Sequence, residues 1–230
     1  MKIDVLTLFP EMFAPINASI LKRAQENNLL SLEVANIRDY SKDTHRKCDD
    51  YPYGGGNGMV MTPQPLYDSI MDKKTPNSKV IYLSPKGKVF NQKKAISLAK
   101  EEHLIFVCGH YEGVDERVLQ LCVDEEISIG DFVLTGGELA CMVVIDALAR
   151  NIAGVLGNEE SKNDESFSLP LLEYPQYTRP QVFEGLEVPQ VLLSGNHKEV
   201  DKFRLEQSIE ITKQRRPDLY EKYLKMKDEK

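Results

Sequence analysis

Four short apolar runs rich in β-branched residues, at positions 2–9, 31–37, 79–84 and 104–108, are separated by stretches of helical character. That alternation constrains the chain to an α/β fold with a mostly parallel sheet, because parallel strands need crossover segments and helices supply them. Between the first two runs, Ile16, Ile20, Leu21 and Ala24 recur at helical spacing. Asn91 stands where a cap belongs, ahead of a helix carrying Ala95, Leu98 and Ala99. A third helix is expected over residues 138–150. With Ala140, Val143, Val144, Ala147 and Leu148 it is apolar on most sides, so it should be buried against the sheet or against another subunit.

Past Gly157 the chain turns polar and acidic (NEESKNDES) without periodicity, which predicts a linker over residues 158–168 between a first domain, 1–157, and a smaller second one, 169–230. The second opens with a proline-studded segment, 169–189. A helix is then expected over residues 199–213, with Val200, Phe203, Leu205 and Ile209 as its buried face. The 29 Lys and Arg against 36 Asp and Glu give a net charge of −7. Such a balance argues against loose, charge-driven binding to nucleic acid but leaves room for a local basic surface. No apolar run approaches the roughly 18 residues of a membrane-spanning helix. Asp4 and Glu11 interrupt the apolar N-terminus, so no signal peptide is expected and the chain is assigned to the cytoplasm. Cys48, Cys108, Cys122 and Cys141 lie 60, 14 and 19 residues apart with no C-x-x-C pair. They read as reduced structural thiols, not as a disulfide or zinc framework.

Glycines and small polar residues gather in several loops. Asp49-Asp50-Tyr51-Pro52-Tyr53-Gly54-Gly55-Gly56-Asn57-Gly58-Met59 is neither a Walker loop nor G-x-G-x-x-G, and it suits either a tight turn or close backbone approach to a ligand. Cys108-Gly109-His110-Tyr111-Glu112-Gly113-Val114-Asp115-Glu116-Arg117 begins where an apolar strand ends, which is where open α/β sheets bind ligands. His110, Glu112, Asp115 and Glu116 read as metal ligands or as an acid/base set, yet neighbours on an irregular loop need not converge, and no metal site is expected. Ser128-Ile129-Gly130-Asp131-Phe132-Val133-Leu134-Thr135-Gly136-Gly137-Glu138 and Tyr82-Leu83-Ser84-Pro85-Lys86-Gly87 repeat the construction. Each alone is an ordinary strand-to-helix turn; together they point to one shared pocket for a small molecule.

Taken in order, Tyr-Gly-Gly-Gly-x-Gly-Met, Cys-Gly-x-Tyr-Glu-Gly-x-Asp-Glu-Arg, Ser-Ile-Gly-Asp-x-Val-Leu-Thr-Gly-Gly-Glu-Leu, Gly-Val-Leu-Gly and Leu-Leu-Glu-Tyr-Pro-Gln-Tyr-Thr-Arg-Pro resemble the bacterial tRNA (guanine-N(1)-)-methyltransferase family, the TrmD family of the SPOUT class. The resemblance runs from Leu6-Thr7-Leu8-Phe9-Pro10 through Leu193-Ser194-Gly195-Asn196-His197 to Arg215-Arg216-Pro217. It implies a deep trefoil knot in the first domain, a small helical tRNA-binding second domain, and an obligate homodimer with a composite active site. It also implies S-adenosylmethionine as methyl donor and transfer to ring nitrogen 1 of the guanosine 3′ to the anticodon, tRNA position 37, when another guanosine precedes it. Donor contacts carry over to Tyr82, Leu83, Ser84 and Pro85, to Gly109, Tyr111, Glu112 and Gly113, and to Ser128, Ile129, Gly130, Asp131, Phe132, Val133 and Leu134 with Gly136 and Gly137. Family members also use magnesium, here taken as an auxiliary ion.

The chemistry has its own requirements. Guanine nitrogen 1 carries a proton and becomes nucleophilic only as that proton leaves, so a general base is needed. Negative charge then spreads onto O6, where a guanidinium stabilises it. The resemblance assigns these roles to Glu165 and Arg150. The family's commoner Asp-Ser-Phe triplet reads Glu165-Ser166-Phe167 here, and spacing from Gly154-Val155-Leu156-Gly157 favours Glu165 over its neighbour Asp164, the alternative base. Arg179, Lys202, Arg204, Arg215 and Arg216 are the expected tRNA phosphate contacts, with Asp49 and Gly58 holding the extruded guanine. A non-enzymatic RNA-binding module and a small-molecule enzyme without RNA are the rival readings; the first lacks a strongly basic face, and the second leaves the C-terminal unit without a role.

Overall fold

In the computed structural model, which describes residues 1–157 and 165–228, each of the four apolar runs forms a strand. The chain passes through β1 (Lys2–Thr7), a 3-10 segment, α1 (Ser19–Glu26), β2 (Ser31–Asn36), the short ribbon β3 (Asp49–Asp50) and β4 (Val60–Met61), and α2 (Pro63–Lys73). It continues through β5 (Ser78–Val89), α3 (Gln92–Leu98), β6 (His103–Cys108), α4 (Glu116–Cys122), β7 (Glu125–Ser128) and α5 (Glu138–Ala149). These elements belong to the first of two compact units, Met1–Gly157 and Asn158–Lys230. Among the described residues no helix is long and apolar enough to cross a membrane.

The five-stranded sheet has the order β2-β1-β6-β5-β7. Every pairing in it is parallel. All six residues of β6 are buried, as a central strand covered on both faces requires. Alternate side chains split into two cores. Ile3, Val5, Leu104, Phe106, Cys108, Ile81, Leu83 and Ile127 meet α1, α3 and α5 on one face. Leu6, Ile105, Val107, Val80 and Tyr82 meet α2 and α4 on the other. Asp4 is fully buried at the start of β1, where its Oδ2 lies 2.9 Å from Lys2 Nζ and 2.6 Å from His103 Nε2. All four cysteines are free and buried.

The first unit differs from the sequence expectation in places. Ile16 lies in the 3-10 segment Pro10–Asn17 instead of α1, because Pro15 has no N–H to give a continuous α-helix. Strand β5 does not stop at Ser84: its register shifts between Leu83 and Lys88, and Lys88 and Val89 pair again with Ile127 and Ser128. The intervening residues bulge from the sheet. Helix α5 buries Ala140, Cys141, Val144, Ile145 and Leu148, yet Leu139 and Val143 are each 50% exposed.

The second unit holds a hairpin of β8 (Val182–Phe183) and β9 (Leu186–Glu187), then α6 (His197–Arg215) and α7 (Pro217–Asp228). Pro217 opens α7, where its missing N–H costs nothing. The expected buried face of α6 is corrected in part: Val200, Phe203 and Ile209 are half-buried. Ser208 and Thr212 are its buried residues, while Leu205 is 46% exposed. Small hydroxyl side chains permit close packing and also bond: Thr212 Oγ1 donates to the Ser208 carbonyl and accepts from Leu172 N, at 2.6 and 2.8 Å.

Replacing Phe106 with Ala should destabilise the first unit by about 3–5 kcal/mol through cavity formation, read by urea unfolding. Burial pushes the Tyr82 hydroxyl up to about 12, and burial with a hydrogen bond to Asp72 does the same for Tyr40. Unfolded tyrosine ionises near its ordinary value of 10.0, so the folded form binds these protons more tightly. Their contribution to stability is therefore complete below about pH 10 and lost as pH rises toward about 12. Denaturant midpoints across that window should fall, and the fall should be shallower in Tyr82→Phe.

Candidate active site

Parallel pairing brings the carboxyl ends of β5, β6 and β7 to one edge of the sheet, and the loops that leave them enclose a cavity of about 230 Å³. Tyr82, Leu83, Ser84 and Pro85 come from β5 and its bulge; Gly109, Tyr111 and Glu112 follow β6. Ser128, Ile129, Gly130, Phe132, Val133, Leu134, Gly136 and Gly137 close the third side. Two of the expected donor residues do not line it. Gly113 turns away, its carbonyl accepting from Met61 N at 2.9 Å, and Asp131 is exposed to solvent. His110, Ile127, Thr135 and Ala140 line the cavity without having been expected there. Ala140 sits one turn inside α5, a position that helical periodicity from Gly137 marks.

The third loop is fastened to the second through backbone. Gly137 N donates to the Gly109 carbonyl at 2.9 Å. A Cβ on Gly137 would lie 2.9 Å from Cys108 Cα, closer than real side chains come, so only glycine lets α5 begin here. One residue later, Glu138 is 1% exposed and accepts a 2.8 Å hydrogen bond from Thr7 Oγ1. Its carboxylate stands at the positive end of the α5 dipole, which offsets its burial. Burial together with the Cys141 thiol pushes the Cys108 thiol well above the usual range, so it is a packing group and not a nucleophile.

The cavity wall has chemical character. Among the described residues no Lys or Arg lines it, while Glu112 and His110 do, so a cationic ligand faces a carboxylate and no Lys or Arg. Glycines and small residues make up much of the rest of the wall.

Glu112 also ties the cavity to the glycine-rich segment. Its backbone N donates to the Met59 carbonyl, and Met61 N donates to the Gly113 carbonyl, both at 2.9 Å. Gly58 adopts φ +84°, and a Cβ there would stand 2.5 Å from Glu112 Cγ. Asp49 is half-buried in β3, and Tyr53 stands fully exposed between it and Gly58. Asp115, part of the possible metal set, instead caps α4 and receives Arg117 in a two-pronged pair at 2.9 and 2.7 Å. That guanidinium holds its carboxyl below the usual range. Among the described residues no three His, Cys, Asp or Glu side chains assemble as a metal site.

Arg150 is the half-buried C-cap of α5. In the second unit, Glu165 is half-buried and opens a tight turn in which Ser168 N and Oγ donate to its carbonyl at 3.2 and 2.8 Å. It lines a small cavity with Tyr174, Asp201 and Arg204. Asp164 lies outside the described residues. Arg179 and Lys202 are exposed, Arg215 ends α6, and Arg216 pairs with Asp218 at 2.7 Å. Arg204 is half-buried, its guanidinium 4.9 Å from the centre of the Tyr174 ring.

Comparison with known proteins agrees along the whole chain. The family described as tRNA (Guanine-1)-methyltransferase TrmD matches residues 1–222. A tRNA (guanine-N(1)-)-methyltransferase of Clostridium botulinum (strain Eklund 17B / Type B) is 60% identical over 231 residues, spanning 100% of this chain and 97% of the relative. The protein of that name from Alkaliphilus metalliredigens (strain QYMF) is 59% identical over 226 residues, covering 95% of this chain and 91% of its own. One from Clostridium perfringens (strain 13 / Type A) is 60% identical over 223 residues, 96% and 94% of the two chains. With motifs, loop positions and full-length identity in agreement, the chain belongs to the TrmD family of tRNA (guanine-1)-methyltransferases.

Proposed function

We propose that this protein transfers a methyl group from S-adenosylmethionine to ring nitrogen 1 of the tRNA guanosine 3′ to the anticodon, position 37, preceded by guanosine. The observation that carries the reading is the full-length family match coinciding with the convergence of three glycine-bearing loops at the strand ends. S-adenosylmethionine, when bound, supplies an electrophilic sulfonium methyl. Tyr82 to Pro85, Gly109, Tyr111 and Glu112, and Ser128 to Gly130, Phe132 to Leu134, Gly136 and Gly137 hold and bend it, and the absence of Lys and Arg from the wall among the described residues favours its charge.

Glu165 takes the proton from guanine nitrogen 1, and the longer stem of glutamate delivers the same carboxylate as the commoner aspartate. Arg150 stabilises the charge that moves onto O6. Asp49 and Gly58 hold the flipped base, and the basic residues of the second unit bind the tRNA backbone. For magnesium, an auxiliary ion in this reading, the described residues offer no cluster of three His, Cys, Asp or Glu.

The first unit takes the path of a deep trefoil knot. Support comes from the segment after β7, whose Gly137 N donates to the Gly109 carbonyl just past β6 before α5 begins. The protein works as a cytoplasmic homodimer with a shared active site. Leu139 and Val143 on α5 and Val133, 84% exposed, supply apolar surface of the kind such an interface covers.

Labelled methyl transfer should occur to a transcript with two guanosines across the 3′ edge of the anticodon and not to one whose second guanosine is adenosine. Labelling of neither, with donor binding shown by calorimetry, would overturn the assignment. Glu165→Gln should cut turnover by about 10²–10⁴-fold while donor affinity stays within twofold. Full activity in that variant removes Glu165 as the base.

A further inference from the structure

The second unit contains a cavity of about 440 Å³ for which the reaction has no stated use. Tyr174, Tyr177 and Phe203 supply aromatic surface, Leu193 apolar surface, and Arg179 and Arg204 two guanidiniums. Among the described residues no Asp or Glu lines it, in a chain whose net charge is −7. The contrast with the cavity beside β7 is sharp, where Lys86 and Lys88 are outnumbered by Glu116, Asp124, Glu125 and Glu126. Aromatic faces next to unopposed guanidiniums are the chemistry of a nucleotide site: ring stacks on ring, and Arg meets phosphate or base oxygen.

Two details make the wall a prepared surface. The Arg204 guanidinium lies over the Tyr174 ring, 4.9 Å from its centre, a cation–π contact. Its Nε is buried with no hydrogen-bond partner among the described residues, a donor that an incoming acceptor would satisfy. Tyr177 is 47% exposed, so one side of the cavity is an open ring. Tyr174 and Arg204 also line the smaller cavity that contains Glu165, and they therefore form a partition between the two.

We infer that this cavity receives one unstacked nucleobase of the RNA substrate, other than the guanine that is methylated, with its phosphate held by Arg179. The inference rests on the proposed tRNA methylation. It turns Arg179 and Arg204 from general phosphate contacts into parts of a base pocket, and adds Tyr177 as the stacking residue. A protein segment is a poorer occupant, since no described residue on the wall is acidic and the free donor calls for an acceptor-rich partner.

The test is a coupling measurement with the full chain and a set of tRNA transcripts, each lacking one base but keeping its ribose and phosphate. Tyr177→Ala should weaken binding of the unaltered transcript about tenfold, the loss expected for one stacked base. One abasic transcript should show a similar loss with the unsubstituted protein. Combined, the two changes should lose no more than either alone, because they remove the same contact. Tyr177→Phe should restore the coupling, and Arg179→Gln should lower the slope of log affinity against log salt by about one. Strictly additive losses at every position overturn the inference, as does unchanged RNA binding by Tyr177→Ala. If that variant instead changes the sedimentation of the protein, the cavity is a protein interface and the inference also falls. Methyl transfer by the unsubstituted protein separates the two readings: transfer with additive losses removes the pocket alone, whereas no RNA binding and no transfer remove both.

Discussion

Parallel pairing of β6 with β1 on one side and β5 on the other is the constraint on which the rest of the first unit depends. With every strand pointing one way, the loops that leave β5, β6 and β7 have no choice but to meet at one edge. Burial of the whole of β6 supplies the driving force, since its alternate side chains belong to both cores. Thr7 then reaches from β1 to Glu138, so that a side chain beside β6 fixes the first turn of the helix that closes the cavity. The polar pair is inside and its lost hydration is offset by the hydrogen bond and the helix dipole.

The strands were legible because each is a short apolar run that a helix interrupts. Their order was not. Nothing local tells Val5 that its neighbour is Phe106 and not a residue of the next run, because register between distant segments is settled by packing on two faces at once. Strand β7 begins with Glu125 and Glu126 and carries little apolar signal of its own, although the glycine-bearing loop after it marked a strand end. In α6 the reasoning from apolar periodicity picked Leu205 as buried, whereas the close-packed residues are Ser208 and Thr212. Small hydroxyl side chains that return hydrogen bonds to their own helix give no hydrophobic pattern to read.

The loops around the cavity were legible for another reason. Glycine and small polar residues repeated at strand ends are a local signature, and the family resemblance supplied their purpose. What failed was resolution within a loop: Gly113 and Asp131 alternate with lining residues but face away. Direction within an irregular turn depends on its exact dihedral angles, as the positive φ of Tyr111 and Gly113 illustrates. His110 and Thr135 were missed for the same reason from the opposite side. The roles of Glu165 and Arg150 came from resemblance and chemistry, since an acidic linker and a helix-end arginine are unremarkable by composition.

The sheet order also sets a timetable for synthesis. Strands β1 and β2 leave the ribosome close together and can pair early, but the other edge of β1 waits for β6, about a hundred residues later. At roughly 5–20 residues per second that edge, with Ile3, Val5 and Leu6 beside it, stays open for about 5–20 s. During that interval the nascent chain presents an unpaired apolar strand edge of the kind that recruits holding chaperones or a neighbouring nascent chain. The N-terminal strand is thus made first and completed late, and the waiting time is written into the order of the strands.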